Sequence, residues 1–316
     1  MQKEVQEDGQ QKNWVISVIG RTSVKGALEP VACILKSNGL GLDRIEPLSG
    51  ANEGGAGYAC AVFHAHGTLD DEARMRTEFL ALADEIAVDI AFQRANEYGR
   101  ARRLFVFDMD STLIQGEVID ELAKMAGVSD KVVAITASAM RGEIEFQESF
   151  RRRVALLAGL PASRAHELLE RIPLMEGAER LFRTLRRRGA KTAILSGGFT
   201  FFGAFLKETL EVDHVYANEL EVAADGSVSG EVTGRIVDGA RKAELLKEIA
   251  ASEGISLEEV VAVGDGANDL PMLGLAGMGV AFHAKPVVRA SAKFAMTHVG
   301  LDGLLYLLGI PDWEWA

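Results

Sequence analysis

Residues 104–112 read LFVFDMDST, an apolar run that ends in Asp108 and Asp110 with one methionine between them. Two carboxylates that close raise each other's cost of ionisation. The pair asks for a cation to share the site, or for one aspartate to hold a proton. Two further apolar runs end the same way. KTAIL is followed by Ser196, Gly197 and Gly198, and VVAV by Gly264-Asp265-Gly266-Ala267-Asn268-Asp269. Lys242, in DGARKAELL, stands between them at the expected start of a helix. Carboxylates, a lysine and a glycine-rich turn gathered at one point call for a divalent cation and an anion together. All-oxygen ligands favour magnesium over zinc.

Singly, each of these has a plain structural explanation. Asp110, Ser111 or Thr112 could cap a helix, Ser196-Gly197-Gly198 could be a strand-to-helix turn, and Lys242 a solvated surface charge. Their order and their shared position at strand ends favour chemistry, because ligand sites of parallel sheets form beyond the carboxyl ends of the strands.

The elements that must position them follow from hydrophobic rhythm. LFVF, KTAIL (191–195), VVAVG (260–264) and MGVAF (278–282) are apolar at nearly every residue and are separated by helical segments. That pattern predicts a parallel sheet buried on both faces, an α/β Rossmann-like domain over 104–316. The gap between the first two runs is too long for one crossover helix. EVIDELAKMA, SDKVVAITASAM and EIEFQESFRRRVALLAGL predict a helical cap inserted at about 117–175. NELEVAADGSVSGEV reads as a hairpin around Asp225-Gly226.

Before residue 93 the rhythm is different. WVISVI, LGLDRIEPL, YACAVFHAHG and AVDIAF read as strands, GALEPVACILKSN and DDEARMRTEFLALADEI as helices. Pro30 would have to sit in the first turn of its helix. The order is βαββαβ, a small α+β domain over 13–92 with helices on one face of its sheet. A glycine-rich loop, SGANEGGAG, separates the middle strands. A polar tail (1–12) precedes this domain and a polar linker (93–103) follows it.

Composition narrows the function class. The chain has 316 residues, 48% hydrophobic and 25% charged, with a formal net charge of −12. That charge argues against a nucleic-acid surface, which needs a basic face. It leaves room for a phosphorylated small molecule, since a local cation can reverse the field of one pocket. Cys33 and Cys60 are the only cysteines and read as two buried small hydrophobes. No Cys/His spacing suits a structural zinc. The first residues, MQKEVQEDGQQKN, lack the apolar segment of a signal peptide. No stretch reaches the roughly 18 apolar residues of a membrane span. The expectation is a soluble cytoplasmic protein.

The motif set resembles the haloacid dehalogenase superfamily of phosphotransferases. DMDST fits its first motif, LSGG the second, the isolated Lys242 the third and GDGAND the fourth. The resemblance implies that Asp108 is a nucleophile forming an aspartyl phosphate. Asp110 would protonate the leaving group and later activate water. Mg2+ would be held by Asp108, the Asp110 carbonyl and Asp265, with Asp269 orienting metal-bound water and Asn268 hydrogen-bonding nearby. Ser196, the Gly197 amide and Lys242 would hold the phosphoryl oxygens.

Within the superfamily, residues 100–300 are most similar to the phosphoserine phosphatases. Glu117, seven residues after Asp110, and FQESFRRRV (146–154) carry that likeness. It implies that Glu117 meets a substrate ammonium and Arg153 a substrate carboxylate, while Met140 and Phe146 close over the ligand. Read alone, Glu117 is a first-turn acid and the arginine triplet a solvated helix face. The implied reaction is Mg-dependent hydrolysis of O-phospho-L-serine, the last step of serine biosynthesis. Phosphoryl transfer to another hydroxyl such as homoserine is the alternative, and a non-catalytic amino-acid sensor a second. The domain at 13–92 resembles an ACT domain, with IGRTSVKGAL matching its ligand loop. Arg21 stands where such loops commonly carry an acid, so a stabilising or dimerising role is expected ahead of effector binding. An ACT-like sheet often pairs with another, which makes this domain the route to a homodimer.

Overall fold

The computed structural model describes residues 13–50 and 57–316. The polar tail expected over 1–12 and most of the glycine-rich loop (51–56) lie outside the described residues. The chain divides into two compact units. One holds the described residues up to Arg100 with Thr297–Val299 and Gly303–Trp315; the other holds Ala101–Met296 with Gly300–Asp302 and Ala316.

The first unit contains β1 (Asn13–Gly20), α1 (Leu28–Ser37), β2 (Gly41–Pro47), β3 (Ala59–His66), α2 (Glu72–Ile86) and β4 (Asp89–Arg94). Its sheet runs in the order β2-β3-β1-β4, with antiparallel neighbours throughout. Alternation along β1 sends Trp14, Ile16 and Val18 into a core with Val31 and Leu35 of α1 and Met75, Phe79 and Leu82 of α2. Pro30 does sit in the first turn of α1. Asp71 starts α2 by accepting the Arg74 amide at 2.8 Å. Cys60 is buried, but Cys33 is exposed on α1, so the expectation of two buried cysteines fails for one. Apolar neighbours in sequence did not reveal which side of the helix that residue would occupy.

The alternate residues of β1, Val15, Ser17 and Ile19, are buried as well. The C-terminal stretch, expected with the second domain, clusters with this unit. Gln93 of β4 donates from Nε2 to the Leu307 carbonyl at 3.0 Å. The Trp315 ring lies 4.7 Å from that of the fully buried Tyr306. Its Nε1 donates to the Ile310 carbonyl, while Trp313 stays exposed. Asp89, also buried, accepts the backbone amides of Thr297, His298 and Val299.

The second unit is built on β5 (Leu104–Phe107), β6 (Lys191–Phe199), β7 (His214–Val222), β8 (Val228–Thr233), β9 (Val260–Gly264), β10 (Met278–Phe282) and β11 (Phe294–Met296). The sheet order is β11-β10-β9-β5-β6-β7-β8, parallel except for the antiparallel edge pair β7–β8. The α/β sheet and the hairpin expected from sequence are both present. β11 and the first half of β7 went unread, the former being three residues long and the latter mixing His214 and Tyr216 with its one valine.

Between β5 and β6 the chain forms α3 (Val118–Ala126), α4 (Ser129–Met140), α5 (Phe146–Ala155), α6 (Ala162–His166), α7 (Leu168–Arg171) and α8 (Ala178–Arg187). The helices up to α7 make the cap. Its two stems are stitched together where Gln115 donates to the Pro173 carbonyl and Met175 to that of Leu113, at 2.9 and 2.8 Å. Crossover helices α9 (Thr200–Leu210), α10 (Gly239–Ser252), α11 (Leu270–Leu275) and α12 (Pro286–Ser291) complete the layers, and α13 (Leu304–Leu307) belongs to the first unit.

Candidate active site

β5 has β6 on one side and β9 on the other, and the chain runs outward from it in both directions. That reversal makes the carboxyl end of β5 a topological switch point, where loops diverge and leave a crevice. The three adjacent strands deliver the expected residues to one place. Asp108 follows β5, Ser196 and Gly197 lie on β6, and Asp265 and Asp269 follow β9.

Lys242 lies in the first turns of α10 and is fully buried. Its Nζ is 2.7 Å from Asp108 Oδ1 and 2.7 Å from Asp269 Oδ1. Burial opposes the ammonium, but the two carboxylates outweigh it and hold the Lys242 pKa above its ordinary value. The second oxygen of Asp269 accepts the Gly266 amide at 3.0 Å. Gly264 allows this approach, since a Cβ there would stand 2.5 Å from Asp269 Cγ.

Oxygen atoms of Asp108, Asp265 and Asp269 lie within 4.8 Å of one another. Burial, then the charge of Asp269, pushes the Asp108 carboxyl well up, with Lys242 pulling the other way. Asp265 is lifted to about 7, by burial and then by Asp269 and Glu117. Thr112, fully buried, donates to Asp265 Oδ1 at 3.3 Å. Three carboxylates facing a single lysine leave negative charge in excess, and their donors are all oxygen. The cluster therefore fits a hard divalent cation.

Asp110 has different partners. Its Oδ1 accepts the Val118 amide at 2.8 Å, and its Oδ2 faces the Ser196 hydroxyl at a long 3.4 Å. Burial first, and the Glu117 charge second, raise its pKa to about 7. Gly198 lies against it: a Cβ there would collide with Asp110 Oδ2 and stand 2.7 Å from Met109 Cε. Read alone, the glycine pair could have been a turn after a strand ending at Leu195. It lies within the strand, at a register shift between Leu195 and Phe199, and α9 starts only at Thr200. The irregularity lets backbone and side chain of one short segment face the same crevice.

Glu117 keeps solvent access at the start of α3, yet the surrounding protein raises its pKa by burial, with Ser111 and Arg153 opposing. Ser111 donates to Glu117 Oε1 at 3.0 Å from a left-handed backbone, φ 57°. Such a conformation costs about 1–2 kcal/mol in a residue with a Cβ, and here it aims the hydroxyl. Arg153 of α5 is half-buried; burial lowers its pKa, while Glu117, Asp120 and Asp110 support its charge. The Phe146 ring covers Gly197, its Cζ 3.3 Å from where a Cβ of that glycine would lie. Met140, at the end of α4, is 64% exposed, with its sulfur 3.8 Å from the Lys285 ammonium. Asn268 packs its backbone against Gly239 of α10.

Two contributors escaped the sequence reading. Thr112 was read as a possible helix cap and as the last residue of DMDST, with no partner of its own. Asn218, buried on β7, donates from Nδ2 to the Gly197 carbonyl at 2.9 Å and accepts the Val237 amide at 2.8 Å. It ties β6 to the segment that leads into α10. An asparagine at a strand position is weak information until its neighbours are known.

A family model described as haloacid dehalogenase-like hydrolase matches residues 105–274. A protein named phosphoserine phosphatase from Streptomyces coelicolor is 46% identical over 301 residues, covering 95% of this chain and 71% of that protein. A crystal structure of a haloacid dehalogenase family hydrolase from Salmonella enterica serovar Typhi superposes with a TM-score of 0.81 at 31% identity, covering 93% of this chain and 98% of that one. A structure described as a phospho-aspartyl intermediate analogue of phosphoserine phosphatase gives a TM-score of 0.61 at 42% identity, covering 66% of this chain and 99% of that one.

Proposed function

The chain belongs to the haloacid dehalogenase-like hydrolase family, and from that membership we propose that it hydrolyses O-phospho-L-serine to L-serine and phosphate. The observation that carries the mechanism is the unequal partnering of the two aspartates. Asp108 shares a buried lysine, whereas Asp110 has none and is lifted to about 7. One is held for attack and the other for proton transfer.

Asp108 attacks phosphorus, forming an aspartyl phosphate as the bond to the serine oxygen breaks. Asp110 delivers its proton to the departing alkoxide, then takes one from the water that cleaves the acyl phosphate. Lys242, the Ser196 hydroxyl and the Gly197 amide stabilise the charge that builds on the non-bridging oxygens. Mg2+, held by Asp108, Asp265 and Asp269 with the Asp110 carbonyl, would screen an anionic nucleophile from a dianionic phosphate.

Substrate choice falls to the cap. Phosphoserine carries an ammonium and a carboxylate beyond its phosphate. Glu117 suits the first and the Arg153 guanidinium, with its planar fork, the second. Phe146 shields the phosphoryl site from water, and Met140 lines the cap edge. Support for this assignment is that the charges of Glu117 and Asp110 both favour the Arg153 guanidinium, so the three groups share one electrostatic neighbourhood. The reading also places the chain among cytoplasmic enzymes of serine biosynthesis. Among the described residues no helix is long and apolar enough to cross a membrane. A homodimer would form through the N-terminal sheet, in which β2 and β4 each have one strand partner among the described residues.

The test is phosphate release from L-phosphoserine, phosphothreonine, a sugar phosphate and a nucleotide, with magnesium, with chelator and with Asp108→Asn. Preference for L-phosphoserine, abolished by chelator and by the substitution, is the expected result. Equal turnover of the panel would overturn the roles of Glu117 and Arg153. Phosphorylated homoserine formed in place of free phosphate would move the assignment to transfer.

A further inference from the structure

Resting on the phosphoserine reading, we propose that Gln147 and Asp238 form a latch that seats the cap, with Gln147 a positioning residue for turnover. Gln147 lies in the first turn of α5, and its Nε2 donates to Asp238 Oδ2 at 2.6 Å. Asp238 belongs to the sheet domain's side of the crevice. It is the N-cap of α10, its other oxygen accepting the Arg241 amide at 2.9 Å. Its carbonyl accepts the Lys242 amide at 2.8 Å. One residue therefore both receives the cap and begins the helix that presents Lys242 to Asp108.

The position of the pair along α5 gives it leverage. The far end of this helix is fixed on β8. Gly159 donates to the Val228 carbonyl at 2.9 Å, and Val228 to that of Leu160 at 2.8 Å. Gly230, with φ 84°, lets β8 come close to Ala155, whose Cα would lie 3.3 Å from a Cβ there. Anchored at that end, α5 can be held at the other by a single polar contact. Phe146, the neighbour of Gln147, is the residue that covers Gly197, and Arg153 lies two turns further along the same helix. Seating the N-terminal end of α5 thus sets the ring over the phosphoryl site and the guanidinium toward Glu117 together. A hydrogen bond to a carboxylate is stronger than one between neutral groups, and this pair is exposed enough to break and re-form as substrate enters.

The donor and acceptor chemistry supplies its own test. Gln147→Glu sets two carboxylates against each other and removes the donor. Asp238→Asn keeps a capping oxygen for the Arg241 amide and offers an amide hydrogen. In the double variant the Asn Nδ2 can donate to the Glu carboxylate, restoring the contact with its polarity reversed. The expected result is a rise of about tenfold in KM for L-phosphoserine in Gln147→Glu, and recovery to within about threefold of wild type in Gln147→Glu/Asp238→Asn. The loss on p-nitrophenyl phosphate, which Phe146 still covers but which has neither ammonium nor carboxylate for Glu117 and Arg153 to engage, is several-fold smaller than that on L-phosphoserine in either. Thermal unfolding of each variant checks that the fold is kept. A double variant no better than Gln147→Glu overturns the latch, as does an equal loss on both substrates. Wild-type protein that ignores L-phosphoserine would instead overturn the substrate reading on which the latch rests.

Discussion

Lys242 Nζ sits 2.7 Å from Asp108 Oδ1 with neither group able to reach bulk water freely, the lysine being fully buried and the aspartate nearly so. The same ammonium holds Asp269. Removing it in Lys242→Met leaves two buried carboxylates without their counter-charge. Loss of one partner of a buried pair costs about 3–5 kcal/mol, and phosphate release should fall by about a thousandfold or more. Thermal unfolding and a phosphate assay on the same preparation measure both. A variant that keeps more than a tenth of the activity would remove Lys242 from the site.

Asn218→Ala separates support from chemistry. The substitution leaves the buried Val237 amide and the Gly197 carbonyl without their partner. An unsatisfied buried group costs about 1–3 kcal/mol, so the melting temperature should drop by several degrees. Because Gly197 loses its tether, kcat should drop by about tenfold as well. Unchanged kcat would mean that the strand holds its course without Asn218.

Gly198→Ala tests the close approach beside Asp110. The added methyl would meet Asp110 Oδ2 and the Met109 side chain. Met109 can turn away, but Asp110 must shift to yield. Activity should fall by about a hundredfold, with a smaller change in stability. Near-UV circular dichroism alongside the kinetic assay distinguishes a displaced acid from a disordered core.

The alkaline limb of catalysis should respond to Glu117. Burial is the first cause of the raised Asp110 pKa, and the Glu117 charge the second. In the proposed mechanism Asp110 is protonated when it assists the leaving group, so kcat/KM falls as pH rises through its pKa. Glu117→Gln removes a like charge that disfavours ionisation. The Asp110 pKa therefore drops, and the alkaline limb of the kcat/KM profile moves to lower pH. A limb that stays in place, or moves up, would show that another group titrates there.

Some parts of this molecule were readable residue by residue. Strands buried on both faces are apolar throughout, which is why LFVF, KTAIL, VVAVG and MGVAF could be placed. Period-3.6 patterns separated by glycine and polar residues marked α3, α4 and α5 in the same way, whereas α6 and α7 are too short to show a period. β11 was missed because three residues carry no period. Cys33 was misplaced because its helix face depends on what α1 packs against. The C-terminal stretch was assigned by chain order, whereas its partners are Leu48, Gly50 and Gln93, far away in sequence.

The order of residues was enough to mark the candidate reacting groups. Asp108, Asp110, Asp265 and Asp269 follow the ends of apolar runs, and Lys242 opens a helix between two of them; those positions depend only on local pattern and on the rule that parallel sheets open at their carboxyl ends. Tertiary structure alone decided how charge is shared among them. Only the folded chain puts Lys242 on Asp108 instead of Asp110, Asn218 on Gly197, and Gln147 on Asp238. Proton affinity and hydrogen bonding depend on distances between residues far apart in the chain and on the water removed between them. Neither quantity is written in the order of residues; both arise when the strands pair and the cap folds over their ends.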